Sequence, residues 1–96
     1  MKKNNITILK GLLSKLYKFN NASPQKRLSL AYQISKYSHE NLKKHNLPME
    51  IEEIFVQCLD MNHWNDKKLP PTLTIEEIRE SFIPDIRKII RKLELV

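Results

Sequence analysis

Glycine is almost absent from this chain, which has a single glycine, Gly11, and a single cysteine, Cys58, among 96 residues. A β-rich domain of this length needs glycine in its tight turns, so a β-sheet fold is disfavoured. One cysteine excludes an internal disulfide bond and fits a reducing compartment. No apolar run reaches the length of about 20 residues that a membrane span requires. We therefore expect one small domain, residues 1–96, in the cytoplasm.

Residue patterns that would support catalysis are also missing. The lone glycine excludes the usual phosphate-binding loops. Adjacent glutamates at 52–53 and 76–77 fall at predicted helix starts, where capping and the helix dipole account for them. Cys58 lies among apolar residues, as a buried thiol does, and Cys58 with His63 supplies too few ligands for a zinc site, which needs about four. We predict no enzyme activity, no metal and no cofactor.

Apolar residues recur at helical spacing in four segments that are separated by proline-containing connections. The predicted inward stripes are, in chain order, Ile6, Leu9, Leu13, Leu16 and Tyr17; Leu28, Ala31, Ile34, Tyr37 and Leu42; Ile51, Ile54, Phe55, Cys58 and Leu59; and Ile75, Ile78, Phe82, Ile86, Ile89, Ile90 and Leu93. Amphipathic helices joined by short connections form an antiparallel bundle by default. The sequence thus predicts an all-α, antiparallel four-helix bundle.

Local signals set the helix boundaries. Ser23 is expected to cap the second helix, with Pro24 at its first position. Thr74 and Glu77 have the spacing of a capping box at the start of the fourth helix. Pro84 lies inside that helix, so we expect a kink or a break near it.

Charge is distributed unevenly along the chain, whose net charge is +6. Residues 1–45 carry a net +9, residues 46–83 a net −5 and residues 84–96 a net +2. The basic first block suits anionic lipid headgroups or nucleic acid, or it is simply a solvated surface. Lys10 and Lys15 interrupt the apolar run of the opening segment, which argues against a secretion signal. That segment is therefore predicted to be an amphipathic first helix.

The order of these segments resembles a known family. The opening MKKNNI leads into a helix that ends in SKLYKF, and a long second helix bearing Lys and Tyr follows. A third helix and a polar loop then precede LTIEEIRESFIPDIRKIIRKL, a fourth helix with a Thr-led start. In these features the chain is similar to the immunity proteins of pediocin-like (class IIa) bacteriocins, over almost its whole length.

The resemblance implies a function and partners. Such a protein is cytoplasmic, associates with the inner face of the membrane, and protects a Gram-positive cell by acting on the bacteriocin receptor. The receptor is the membrane part of the mannose phosphotransferase permease with bound bacteriocin, and the anionic inner leaflet is the second partner. A monomer or weak dimer is implied. In that family the C-terminal half helps to decide which bacteriocin is recognised, and the matching region here is Trp64 to Val96. We predict partner-binding residues Trp64, Lys67, Lys68, Arg87, Lys88, Arg91 and Lys92; the alternative for Trp64 is that it closes the end of the core.

Alternative functions remain open from the sequence. A small basic helical protein could bind nucleic acid or act as a phage-type regulator, although the basic residues are not interleaved with a platform of aromatic side chains. Leu16-Tyr17-Lys18 also resembles the Leu-Tyr-Arg motif of mitochondrial adaptor proteins, but Lys18 replaces the arginine that defines it. Many family members continue into a C-terminal tail beyond the fourth helix, whereas this sequence stops soon after that helix. The usual specificity element is therefore short or absent here, and the sequence does not identify the bacteriocin.

Overall fold

A computed structural model of the chain describes residues 2–61 and 74–95. Of the described residues, 91% are helical and none is in a strand. The helices are α1 (Lys2–Asn21), α2 (Pro24–Lys44) and α3 (Met49–Leu59), followed by a last stretch, residues 75–95. This stretch consists of α4 (Ile75–Glu77), a π-helical segment (Ile78–Phe82) and α5 (Ile83–Leu95). The predicted all-α fold with four helices is confirmed, whereas the antiparallel order of the helices stays a prediction.

The helices share one core. α1 packs against both α2 and α5, and α2 also packs against α3. The fully buried core side chains include Leu9, Leu12, Leu16, Phe19, Ala31, Ile34, Phe55, Cys58, Ile78 and Ile86. The predicted inward stripes of α3 and of residues 75–95 are largely confirmed, with Leu59, Ile75 and Leu93 half-buried at their margins. Burial of this apolar surface is the main stabilising contribution.

The buried face of α1 is rotated about the helix axis relative to the prediction. Leu9 and Leu16 are buried as predicted, but Leu13 is only half-buried and Tyr17 is 38% exposed. The buried row is completed by Ile8, Leu12 and Phe19. Both rows fit helical spacing, because apolar residues cover more than one side of α1. Burying Phe19 removes a wholly apolar ring from water, whereas Tyr17 has a hydroxyl that favours the surface.

One predicted core position of α2 is wrong. Leu28 is 45% exposed, although Ala31 and Ile34 are buried as predicted and Tyr37 and Leu42 are half-buried. Leu28 is the fifth residue of α2 and precedes the buried residues of that helix, which begin at Ala31. Helical spacing alone does not show where along a helix its packing partners begin.

The buried row of α2 instead includes two polar residues, Ser38 and Asn41. Ser38 Oγ donates to the carbonyl oxygen of Ile34 over 2.9 Å, and Asn41 Nδ2 donates to that of Tyr37 over 2.8 Å. Each side chain is therefore hydrogen-bonded to the backbone of its own helix, which allows it to be buried without a lost hydrogen bond.

Tyr37 links α1, α2 and α3. Its hydroxyl donates to the carbonyl oxygen of Ile8 over 2.9 Å, and its ring centroid lies 6.2 Å from that of Phe55. Lys15 Nζ lies 5.0 Å from the Tyr37 ring centroid, within cation–π range. A Cβ at Gly11 would overlap the Tyr37 hydroxyl and lie 3.1 Å from Cζ. The one glycine therefore permits this close approach of α2 to α1.

The irregularity predicted near Pro84 takes the form of a π-helical segment rather than a break. The N–H of Ile83 donates to the carbonyl oxygen of Ile78, five residues earlier. Pro84 has no backbone N–H to donate to Glu80, as an uninterrupted α-helix would require. The π-helical segment ends just before the proline, and the chain stays helical through it.

The two predicted N-caps differ in their geometry. Thr74 Oγ1 accepts a hydrogen bond of 3.1 Å from the backbone N–H of Glu77, as in a capping box. Ser23 occupies the N-cap position of α2 and Pro24 its first turn, both as predicted. Within the described residues, however, the Ser23 side chain accepts no capping hydrogen bond. The predicted N-cap position is confirmed, but α2 begins without a side-chain cap from Ser23.

Candidate functional site

The predicted partner-binding residues of α5 are all exposed: Arg87, Lys88, Arg91 and Lys92. They lie opposite the buried isoleucines of the same helix. Because an α-helix repeats every 3.6 residues, Arg87 and Arg91 share one side of α5, and Lys88 and Lys92 share the adjacent side. The structure thus divides the predicted basic set into two pairs with different surroundings.

The arginine pair faces α1 across a small cleft of about 200 Å³, which we call the α1–α5 cleft. Its lining includes Lys10, Leu13, Ile90 and Glu94 with the two arginines. Lys10 Nζ lies 3.1 Å from Glu94 Oε2, in an ion pair whose side chains are 56% and 50% exposed. One carboxylate therefore faces three cations, and the cleft remains basic.

The lysine pair faces α3 across a groove of about 480 Å³, the α3–α5 groove. Its apolar lining consists of the core residues Ile54, Phe82 and Ile89. Its charged lining consists of Lys88, Lys92, Glu50, Glu53 and Asp85. Lys92 Nζ lies 3.9 Å from Glu50 Oε1, so the two sides of the groove are joined by an ion pair. This groove contains its own counter-charges and carries no excess of positive charge.

The remaining predicted partner-binding residues, Trp64, Lys67 and Lys68, lie outside the described residues. Their predicted contacts with a partner stay predictions. The site defined by the described residues is therefore composed of surfaces on α1, α2, α3 and α5.

A third concave surface, the α1–α2 groove, was not predicted as a site. It has a volume of about 780 Å³. Its apolar lining consists of Leu13, Tyr17, Ala22 and Leu30. Its charged lining consists of Lys10, Lys18 and Lys26, and among the described residues that line it none is acidic. Lys10 and Leu13 also line the α1–α5 cleft, so the two concave surfaces are adjacent.

The sequence contains a signal for this groove. Leu13 and Tyr17 are one helical turn apart and lie on the same side of α1. They are not part of the buried row of α1, so this helix has more large nonpolar and aromatic side chains than that row contains. Leu13 packs half-buried against the core, and Tyr17, one turn further along α1, is exposed. Which of these side chains form the buried row could not be read from spacing, and the prediction placed Leu13 and Tyr17 in the core.

Two further cations of the basic first block have structural roles. Lys15 lies over the ring of Tyr37, as described above. Arg27 Nε donates to the carbonyl oxygen of Phe19 over 3.3 Å, and Arg27 Nη2 donates to that of Asn20 over 3.2 Å. These carbonyls belong to the last turn of α1, and that of Phe19 also accepts from the backbone N–H of Ala22 over 3.3 Å. Neither cation is therefore free to serve as part of a uniform basic face.

The buried ionisable groups do not suggest nucleophilic chemistry. Burial raises the pKa of the Cys58 thiol to about 12. A hydrogen bond with Ser38 lowers this pKa, but its effect is smaller than that of burial. A thiol with such a pKa is protonated at neutral pH, whereas a nucleophilic cysteine needs the thiolate. Burial also raises the pKa of Tyr37. Among residues 2–61 and 74–95, no group of three or more His, Cys, Asp and Glu side chains is placed to hold a metal ion.

Comparison of the chain with protein-family models, curated proteins and solved structures finds no match. In the described part of the chain, no helix combines the length and the apolar character needed to cross a membrane. The concave surfaces of the four helices and the resemblance seen in the sequence are therefore the basis for a functional proposal.

Proposed function

We propose that this chain is a cytoplasmic immunity protein that protects a Gram-positive cell against a pediocin-like bacteriocin. It acts at the inner face of the membrane, on the mannose phosphotransferase permease with bound bacteriocin. The observation that carries the proposal is the basic lining of the α1–α5 cleft, where Arg87 and Arg91 of α5 lie beside Lys10 of α1, which is paired with Glu94. An all-α fold of four helices is compatible with the family that the sequence resembles.

Electrostatic attraction provides the physical basis for action at the membrane. The inner leaflet is anionic, and each Lys or Arg near it contributes about 1 kcal/mol of attraction. Several such residues on one surface give a reversible association that weakens as salt increases, without insertion. Arg87 and Arg91 are the better candidates for this contact, because Lys92 is already paired with Glu50.

Expression in a bacteriocin-sensitive strain tests the proposal. Cells that produce the wild-type chain are expected to survive at least one member of a panel of class IIa bacteriocins. The variant Arg87→Glu/Arg91→Glu reverses the charge of the proposed surface, and we expect it to lose most of the protection. The matched control is Lys36→Glu/Lys43→Glu, which makes the same charge change at exposed positions of α2.

Unchanged killing by every bacteriocin in the panel, with the wild-type chain present at normal levels, would contradict the proposal. Equal loss of protection in both double variants would show that total charge matters and the α1–α5 surface does not. Tight binding to DNA or RNA that falls steeply with salt would instead support the nucleic-acid alternative.

A further inference from the structure

The α1–α2 groove has an apolar lining that is open to solvent. Leu13, Ala22 and Leu30 are half-buried, and Tyr17 is exposed. These side chains come from both helices and form one concave surface of about 780 Å³. Leu13 and Leu30 also pack against the core, and the part of their surface that remains accessible would leave water if another molecule covered it.

Within the described part of the chain, the charged residues that line this apolar surface are all lysines. Lys10 and Lys18 lie on α1, and Lys26 lies on α2, so cations line both sides of the groove. Within the described residues, neither Lys18 nor Lys26 has an ion-pair partner, and Lys10 is paired only with Glu94. The complementary partner is therefore apolar along its centre and acidic along both flanks.

The same charges argue against a second copy of this chain as the occupant. A symmetric dimer through the groove would bring the lysines of one copy against those of the other, and like charges in contact oppose association. The shape of the groove suits a rod that lies along it.

The length of the groove sets the length of the helix that it can bind. Its α1 side extends over residues 10–21, which corresponds to about 17 Å of helix. An amphipathic helix of about 12 residues matches this length and places its apolar stripe in the groove, as helix-in-groove complexes do. We propose that the α1–α2 groove binds an amphipathic helix of a partner protein, with acidic residues on both sides of its apolar stripe.

A synthetic peptide tests this with the full-length protein. The probe is an end-blocked helix of about 14 residues, with leucines in one stripe and glutamates on both flanks. Two control peptides are a scrambled sequence of the same composition and a version with lysine in place of glutamate. Titration calorimetry is expected to detect binding of the probe and no binding of either control peptide. The affinity for the probe is expected to fall as salt increases.

Protein variants then locate the binding. Lys18→Glu/Lys26→Glu is expected to weaken probe binding by about tenfold or more, because it reverses the charge on both sides of the groove. Lys36→Glu/Lys43→Glu is the control with the same charge change, and its binding should equal that of the wild type. Tyr17→Ser should also weaken binding, whereas Tyr32→Ser, at an exposed position that does not line the groove, should not. Thermal unfolding followed by circular dichroism checks that each variant is folded.

Two results would overturn the inference. One is probe binding that is absent or that is weakened equally by the groove variants and their controls. The other is binding to vesicles of phosphatidylglycerol and phosphatidylcholine that the groove variants abolish, with no binding of the probe, which would make the groove a lipid site. The inference does not depend on the proposed immunity function, since the probe experiment uses neither bacteriocin nor receptor.

Discussion

The α1–α2 groove and the α3–α5 groove are both concave surfaces between helices, but they differ in charge and in the burial of their apolar lining. Among the described residues, the charged lining of the first consists of lysines, of which Lys10 is paired with Glu94 outside the groove, whereas Glu50 and Lys92 form an ion pair within the second. The apolar lining of the first is half-buried or exposed, and that of the second belongs to the core. The α3–α5 groove contains counter-charges of its own, whereas the lysines that line the α1–α2 groove are the basis on which we propose an acidic partner.

The apolar linings give the largest predicted difference. Phe82 is 7% exposed in the α3–α5 groove, so Phe82→Ala should lower the free energy of unfolding by about 3–5 kcal/mol. Leu30 is half-buried in the α1–α2 groove, and Leu30→Ala should cost about 1 kcal/mol. Urea unfolding of the two variants measures both values. Equal losses would contradict the assignment of one lining to the core and the other to the surface.

An alanine substitution on the side of α1 that faces Tyr37 should also affect stability differently from one on the side that lines the α1–α2 groove. Gly11→Ala places a methyl group against the Tyr37 hydroxyl, which must then leave the carbonyl of Ile8. Removing that hydroxyl with Tyr37→Phe should relieve the overlap, so Gly11→Ala should be more favourable in the Phe variant by about 1 kcal/mol. Ser14→Ala, on the α1–α2 groove side, is the control.

A double-mutant cycle measured by urea unfolding tests this coupling. Gly11→Ala alone has two opposing effects, since alanine is the better helix former by about 1 kcal/mol. The coupling with Tyr37→Phe separates the overlap from this propensity. Ser14→Ala should show no coupling with Tyr37→Phe. Additive effects for Gly11→Ala would mean that the Tyr37 hydroxyl does not restrict position 11.

The ion pair across the α3–α5 groove should contribute the least. Its side chains are 75% and 58% exposed, so Glu50→Gln should lower the free energy of unfolding by no more than about 0.5 kcal/mol. The difference should vanish in about 1 M salt, where exposed charges are screened. A loss of several kcal/mol would mean that the pair holds α3 and α5 together, which its exposure argues against.

Much of the fold could be predicted because helical signals are strong and local. Thr74 and Glu77 gave the start of the last helical stretch, and the isoleucines of α5 gave its buried side. The rotation of α1 could not be predicted, because Leu13 with Tyr17 and Leu12 with Phe19 fit the same period. Packing of α1 against α2 and α5 determines which pair is buried, and helical spacing within α1 does not show how those helices pack.

The candidate site was predicted less completely for a related reason. A linear basic sequence such as 87–92 does not show which cations face carboxylates on another helix, as Lys92 faces Glu50. Arg27 likewise reads as part of a basic run, yet it binds carbonyls at the end of α1. Only the arrangement of the helices distinguishes cations that are already satisfied from those that are free.

Amide chemical-shift mapping tests the distinction between the two grooves most directly. The ¹⁵N-labelled full-length protein would be titrated with the acidic amphipathic peptide and its backbone amide signals followed. The account predicts that the largest shifts fall on the parts of α1 and α2 that line the α1–α2 groove, around Leu13, Tyr17 and Leu30. Largest shifts around Ile54, Phe82 and Ile89 of the α3–α5 groove would contradict it.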